Sequence, residues 1–152
     1  MKMKNIVPEM FSACASAAGA NAPALKIGWG RRSINPGKPV AITGQHYLRV
    51  SLGEYSPVTV SALVLENGED AAIFVSADMV ALRGGILDLV QKRLGKLAPE
   101  IPAHKIIMNA THTHAGPSFS ASKPAVPGMT YMPKEEILEF LCRQISDAII
   151  EA

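Results

Sequence analysis

Two imidazoles with one residue between them, His112 and His114, stand in the run Asn109-Ala110-Thr111-His112-Thr113-His114-Ala115-Gly116-Pro117-Ser118. Neutral imidazole is the commonest protein ligand for metal ions and titrates near physiological pH. Such a pair can therefore bind a divalent cation, move a proton, or donate to a developing oxyanion. In extended backbone the side chains of residues i and i+2 project to the same side, which predicts that both rings face one cleft. Small neighbours, Ala110, Ala115 and Gly116, leave room for an ion or a substrate. The plain alternative is that His-x-His arises by accident and that isolated histidines fill gaps or face solvent; position in the fold separates the two. His46, beside Tyr47, and His104, ahead of a hydrophobic run, have no such partner and read as structural. Asp78 follows a buried-looking run and either orients an imidazole from outside or caps the next helix. Arg49 is read either as a binder of an anionic or polar head group or as a surface guanidinium. Cys14 and Cys142 lie at opposite ends without metal-type spacing, and Cys142 falls in an apolar helical stripe, as a small buried hydrophobe would.

These residues need a scaffold, and hydrophobic periodicity supplies one. Residues 25–34 and 40–50 contain short strands, divided by the turn cluster Asn35-Pro36-Gly37-Lys38-Pro39. Val58, Val60, Ala62 and Val64 alternate with polar or small partners, as a strand with one buried face does. That strand stops at Asn67-Gly68, the strongest short hairpin signal, because both residues tolerate positive φ. Residues 71–77 are almost continuously apolar and predict a central strand buried on both faces. A helix over 82–97, with Ile86, Leu87, Leu89, Val90, Leu94 and Leu97 on its stripe, leads to a further buried strand over 104–110. Strand, helix, strand in this order predicts a βαβ unit with parallel strands. The histidine pair then falls at the carboxyl end of a parallel strand, where α/β sheets place their ligands. Residues 116–133 carry four prolines (Pro117, Pro124, Pro127, Pro133) and no period; a loop that long in a compact domain is functional or disordered. A last helix opens at Pro133 with Glu135 and Glu136 suiting its dipole, and shows Ile137, Leu141, Ile145, Ala148 and Ile149 on one face.

The fold class expected is α/β: a mixed β-sheet with at least one βαβ unit, short N-terminal strands and a C-terminal helix. With 152 residues, one domain over 25–152 is expected, preceded by a poorly ordered arm over 1–24. The final helix reaches Ala152 with no Gly, Pro or basic last turn, which predicts a fragment of a larger domain. Fifteen basic against thirteen acidic residues give a net charge of only +2, so there is no electrostatic case for nucleic acid. No apolar run approaches the roughly 20 residues that span a bilayer. Pro8 and Glu9 interrupt what would be the apolar centre of an export leader, so a cytoplasmic, reducing compartment is the expectation.

Familiar His-x-His patterns fail on the neighbouring residues. Metallo-β-lactamases continue His-x-His-x-Asp-His, where this chain has Gly116 and Pro117. Cupins add a glutamate a few residues on, where Ser118, Phe119 and Ser120 stand. Amidohydrolase barrels place the pair after their first strand, and here several strands precede it. Thr111-His112-Thr113-His114-Ala115-Gly116-Pro117 instead resembles the Thr-His-Thr-His-Ser-Gly-Pro signature of the neutral (alkaline, non-lysosomal) ceramidases, departing only at Ala115. Weaker collinear likeness covers Ile27-Gly28, Ile34-Asn35-Pro36, Gly44 followed by Arg49, and Val75-Ser76-Ala77-Asp78. It extends over residues 25–152.

That resemblance implies the N-terminal portion of a zinc-dependent hydrolase that cuts the amide of N-acylsphingosine, a sphingolipid, to fatty acid and sphingoid base. It implies zinc on His112 and a catalytic, carbonyl-facing His114. Parallel pairing of the two buried strands would bring Asp78 to the same edge, as an outer carboxylate or as a helix cap, while Arg49 stays open between a head-group contact and a surface guanidinium. The family's remaining ligands, a second His, a Glu and a Tyr, lie far downstream of the motif. His114 is the last histidine here, so the rest of the zinc site is expected outside this segment, which should be inactive alone. Two alternatives stay open: a non-catalytic α/β binding or structural domain, and a hydrolase of another amide or ester on the same scaffold.

Overall fold

The computed structural model describes residues 23–68, 70–83, 85–119 and 128–152. Apart from Pro23 and Ala24, the expected N-terminal arm lies outside the described residues, as do Cys14 and the centre of the proline-rich loop.

Alternating burial builds the main sheet. It comprises β1 (Lys26–Ser33), β4 (Thr59–Glu66), β5 (Ala71–Ala77) and β6 (Ile106–Ala110), hydrogen-bonded in the order β1-β4-β5-β6. The antiparallel register Val60↔Ala77 to Glu66↔Ala71 is closed by the turn after β4, where the Asn67 side-chain carbonyl accepts the Asp70 N–H (2.8 Å) and Gly68 takes φ 86°. From β5 the chain passes through α1 (Ile86–Leu97) and a short 3-10 turn (Ala103–Lys105) to β6, which pairs parallel to β5 with Ala77 opposite Ala110. The βαβ unit is present. A second, two-stranded ribbon pairs β2 (Ala41–Ile42) with β3 (Arg49–Val50).

Both helices lie on one face of the sheet. The core between them buries Val60, Ile73 and Val75 from the strands, Val90 and Leu94 from α1, and Ile137, Leu141 and Ile145 from α2 (Lys134–Glu151). Helix α2 sits close over β1 because β1 offers it glycine: a Cβ on Gly30 would lie 1.9 Å from the Ala148 carbonyl oxygen. At the far end of α2, Glu151 accepts the Arg31 N–H (3.2 Å) and pairs with Arg32.

Some expectations are corrected. Strand β5 is not buried on both faces: Ile73, Val75 and Ala77 face the helices, whereas Phe74 is 40% exposed. The register sets Trp29, Leu63, Phe74 and Ile107 in one row across all four strands, and Trp29 and Ile107 are likewise exposed. The reason is layering, since neither helix covers that side. Helix α1 begins at Ile86 and not near residue 82, and buries only Ile86, Val90 and Leu94 of its stripe. Residues 103–105 form the 3-10 turn, so the last strand opens at Ile106 and not at His104. The stretch 40–50 is strand only at its two ends.

Candidate active site

Strands β5 and β6 run parallel and end level, so the chain leaves the sheet twice at one edge, through Asp78 and through Thr111. Backbone pairing carries on a little way: the Asp78 N–H reaches the Thr59 carbonyl (2.8 Å) and the Thr111 N–H the Ala77 carbonyl (3.0 Å). The Asp78 carboxylate fastens the three strand ends together. One oxygen accepts from the Thr59 N–H (2.9 Å) and hydroxyl (3.0 Å), and the other from the Thr111 hydroxyl (3.2 Å). A carboxylate can take several such bonds, and bonds to an ionised acceptor are the stronger kind.

Beyond Thr111 the extended backbone breaks. His112 has φ 63°, the left-handed conformation, which costs an L-residue roughly 1–2 kcal/mol. Its ring nitrogen Nδ1 lies 2.8 Å from the Val80 carbonyl oxygen. A carbonyl only accepts, so this contact requires the proton on Nδ1, and in the neutral ring Nε2 is then the lone-pair atom. His114 follows at a turn, and the two rings meet edge to face, 5.2 Å apart at an angle of 67°. Both histidines are exposed. The pair thus converges through a left-handed turn, where the simple i, i+2 alternation of an extended strand was expected.

Glycines make the turn possible. A Cβ on Gly116 would fall 2.0 Å from the Asp78 carbonyl oxygen, so only glycine lets the loop lie against that backbone. Gly44, at φ 105°, lies against the His114 ring, whose Cγ would be 2.3 Å from an added Cβ. The loop then docks on the ribbon: Pro117 bridges to Ile42 and the Ser118 N–H reaches the Ala41 carbonyl (2.9 Å). Beside it opens a cleft of about 230 Å³ whose walls include Val40, Ile42, Val58, Ala115 and Pro117.

Arg49, read from sequence either as a head-group contact or as a surface guanidinium, directs Nη2 at backbone: it donates to the Thr43 carbonyl (3.0 Å) and to the His114 carbonyl. Asp78 lies at the same edge as His112, as parallel pairing requires, yet its oxygens hold Thr59 and Thr111. The imidazole is oriented by Val80. His46 and His104 are exposed and stand apart from the pair in sequence. Cys142 is buried in α2, and that burial pushes its thiol pKa up, which disfavours the reactive thiolate. Sequence reasoning missed Val80, which contributes a main-chain carbonyl, and the part played by Gly44, which contributes the lack of a side chain. The Val80 carbonyl leaves no signal in residue type, whereas Gly44 is visible as a glycine but not its approach to His114.

As a metal site the donor set is partial. His112 Nε2 is suited to a cation, with the other ring nitrogen held by a carbonyl in the manner usual for metal-bound histidine. Among the described residues, however, there is no group of three or more His, Cys, Asp or Glu placed to hold a metal ion. Also among them, no helix is long and apolar enough to cross a membrane.

No protein-family model matches the sequence, and no curated protein matches it. Solved structures do. Neutral ceramidase from Pseudomonas aeruginosa superposes with a TM-score of 0.71 at 20% identity, over 87% of this chain and 22% of that one. A ceramidase complexed with C2 gives a TM-score of 0.67 at 21% identity, over 87% of this chain and 21% of that one. The chain spans about a fifth of the length of these structures, and within that span it has their fold.

Proposed function

We propose that this chain is the N-terminal portion of a zinc-dependent amide hydrolase of the neutral ceramidase kind, acting on a lipid amide such as N-acylsphingosine. One observation carries the reading: two exposed imidazoles meet 5.2 Å apart at the carboxyl end of a parallel strand, one of them with Nδ1 committed to a backbone carbonyl. In support stand the ceramidase-like heptapeptide at this turn and the ceramidase fold of the strands that carry it.

In this reading His112 offers Nε2 to zinc, and His114 faces the amide carbonyl. Zinc, when bound, would supply Lewis acidity and lower the pKa of a bound water to about 7. His114 holds a proton toward the carbonyl oxygen, and one such donor is worth about 3 kcal/mol to the developing oxyanion. Asp78 keeps the turn in place through Thr111. Two imidazoles are too few for firm binding, since zinc normally takes three or four protein ligands. The further ligands come from polypeptide outside this segment, and the 152-residue chain alone neither retains stoichiometric zinc nor turns over an N-acyl amide.

The test uses the natural polypeptide that contains this chain. Its zinc content is measured by plasma mass spectrometry and its turnover with a fluorescent N-acyl amide panel. His112→Ala should lose both metal and turnover, whereas His114→Ala should keep the metal and lose about 100-fold or more in kcat. A natural polypeptide without zinc or hydrolysis would favour a non-catalytic binding domain. Zinc with hydrolysis of a different ester or amide would keep the scaffold and change the substrate.

A further inference from the structure

We infer that Arg49 and Gly44 are positioning residues that together set the place of the His114 ring. The ribbon of β2 and β3 carries both, and each acts on His114 differently. Ile42 and Arg49 are paired across the ribbon, so Arg49 rises beside the turn that follows Ile42. Its terminal Nη2 donates to two main-chain oxygens from distant parts of the chain, those of Thr43 and His114. One amino group has two hydrogens, and here each has its own carbonyl. The guanidinium is thereby a clip between the residue before Gly44 and the backbone of His114.

Gly44 fixes the other coordinate. An added Cβ would lie 2.3 Å from His114 Cγ, 2.5 Å from Nδ1 and 2.6 Å from Cβ. Ordinary contact begins at 3.4 Å, so any side chain at residue 44 must push the ring away by about 1 Å. The clip draws His114 toward the ribbon and the glycine sets how close it comes. His112, held by Val80 on the other side, completes the edge-to-face pair. A displacement near 1 Å is the scale at which catalytic geometry fails.

This inference rests on the reading of His114 as the carbonyl-facing group, but its test does not use turnover. In the 152-residue chain, nuclear magnetic resonance follows the ring resonances of His114 and the nuclear Overhauser contact between the two imidazoles. Arg49→Met should move the His114 ring and backbone resonances and abolish the inter-ring contact, and Arg49→Lys should restore part of both. Gly44→Ala should abolish the inter-ring contact as well. Gly37→Ala controls for backbone strain, since Gly37 has φ 69° with nothing within 4 Å of an added Cβ; it should leave His114 unmoved. Arg32→Met, which removes a charge paired with Glu151, controls for net charge. Unchanged His114 signals in Arg49→Met would overturn the inference, as would equal effects from Gly37→Ala and Gly44→Ala. Should either variant fail to fold, the other still decides. Loss of zinc or hydrolysis in the natural polypeptide bears on the functional reading and leaves this result untouched.

Discussion

Replacing Asp78 by alanine removes one carboxylate and three hydrogen bonds, from the Thr59 N–H, the Thr59 hydroxyl and the Thr111 hydroxyl. Bonds to a charged acceptor are each worth about 1.5–3 kcal/mol net. Asp78 is only half-buried, and the hydroxyls released can turn to water, so the sum is discounted to about 2–4 kcal/mol. For a domain of this size each kcal/mol shifts Tm by about 2–4 °C, which makes the expected fall about 4–16 °C. Asp78→Asn keeps one carbonyl acceptor and should cost about 1 kcal/mol. Urea unfolding followed by circular dichroism measures both, with the midpoint falling and the m-value unchanged. A double-mutant cycle of Asp78→Ala with Thr111→Val isolates the bond that anchors the turn, and should give a coupling of about 0.5–1.5 kcal/mol. A cost below about 0.5 kcal/mol for Asp78→Ala, within the range of an ordinary surface change, would refute the claim that this carboxylate fastens the strand ends.

Other outcomes follow from the packing and the surface charges. Gly30→Ala must move α2 by about 1.5 Å to relieve the contact with the Ala148 carbonyl, and should cost about 3 kcal/mol in urea unfolding; a cost below about 1 kcal/mol would mean that helix and strand are not in close contact. Asp70 should contribute a pH-dependent part of the stability through Lys105, whose hydrogen bond, followed by that of the Ala71 N–H, lowers its pKa from 3.8. The folded pKa lies below the unfolded one, so the contribution is full above pH 3.8 and fades as pH falls through the folded value. Acid unfolding of the wild type and Asp70→Asn should therefore differ in that window, and Lys105→Met should shrink the difference; no change on adding Lys105→Met would contradict the pairing.

Much of the scaffold is legible in residue order. Period-2 alternation marks β4, Asn67-Gly68 marks the hairpin, and the strand-helix-strand sequence predicts the parallel pair that brings Asp78 level with Thr111. The ceramidase-like heptapeptide identifies the turn, and the structure explains several of its members physically. Thr111 bonds Asp78, Gly116 lies against the Asp78 carbonyl, and Pro117 bridges to the ribbon. What escapes the sequence is contributed by main chain. Val80 offers a carbonyl, His112 adopts a left-handed φ, and Arg49 grips two carbonyls, none of which residue type records. The open face of the sheet escapes for another reason. An apolar run such as residues 71–77 reports affinity for a nonpolar layer, not whether that layer is supplied by the same segment.

The direct measurement is the protonation and metal response of one ring, read from long-range proton–nitrogen correlation spectra of the ¹⁵N-histidine-labelled chain during zinc titration at neutral pH. His112 should hold its proton on Nδ1 and show the first and largest zinc-induced change at Nε2, weakly and in fast exchange, with the effect gone in His112→Ala. A proton on Nε2, or a response at His46 or His104 while His112 stays silent, would contradict the assignment of this histidine as the cation-binding atom's bearer.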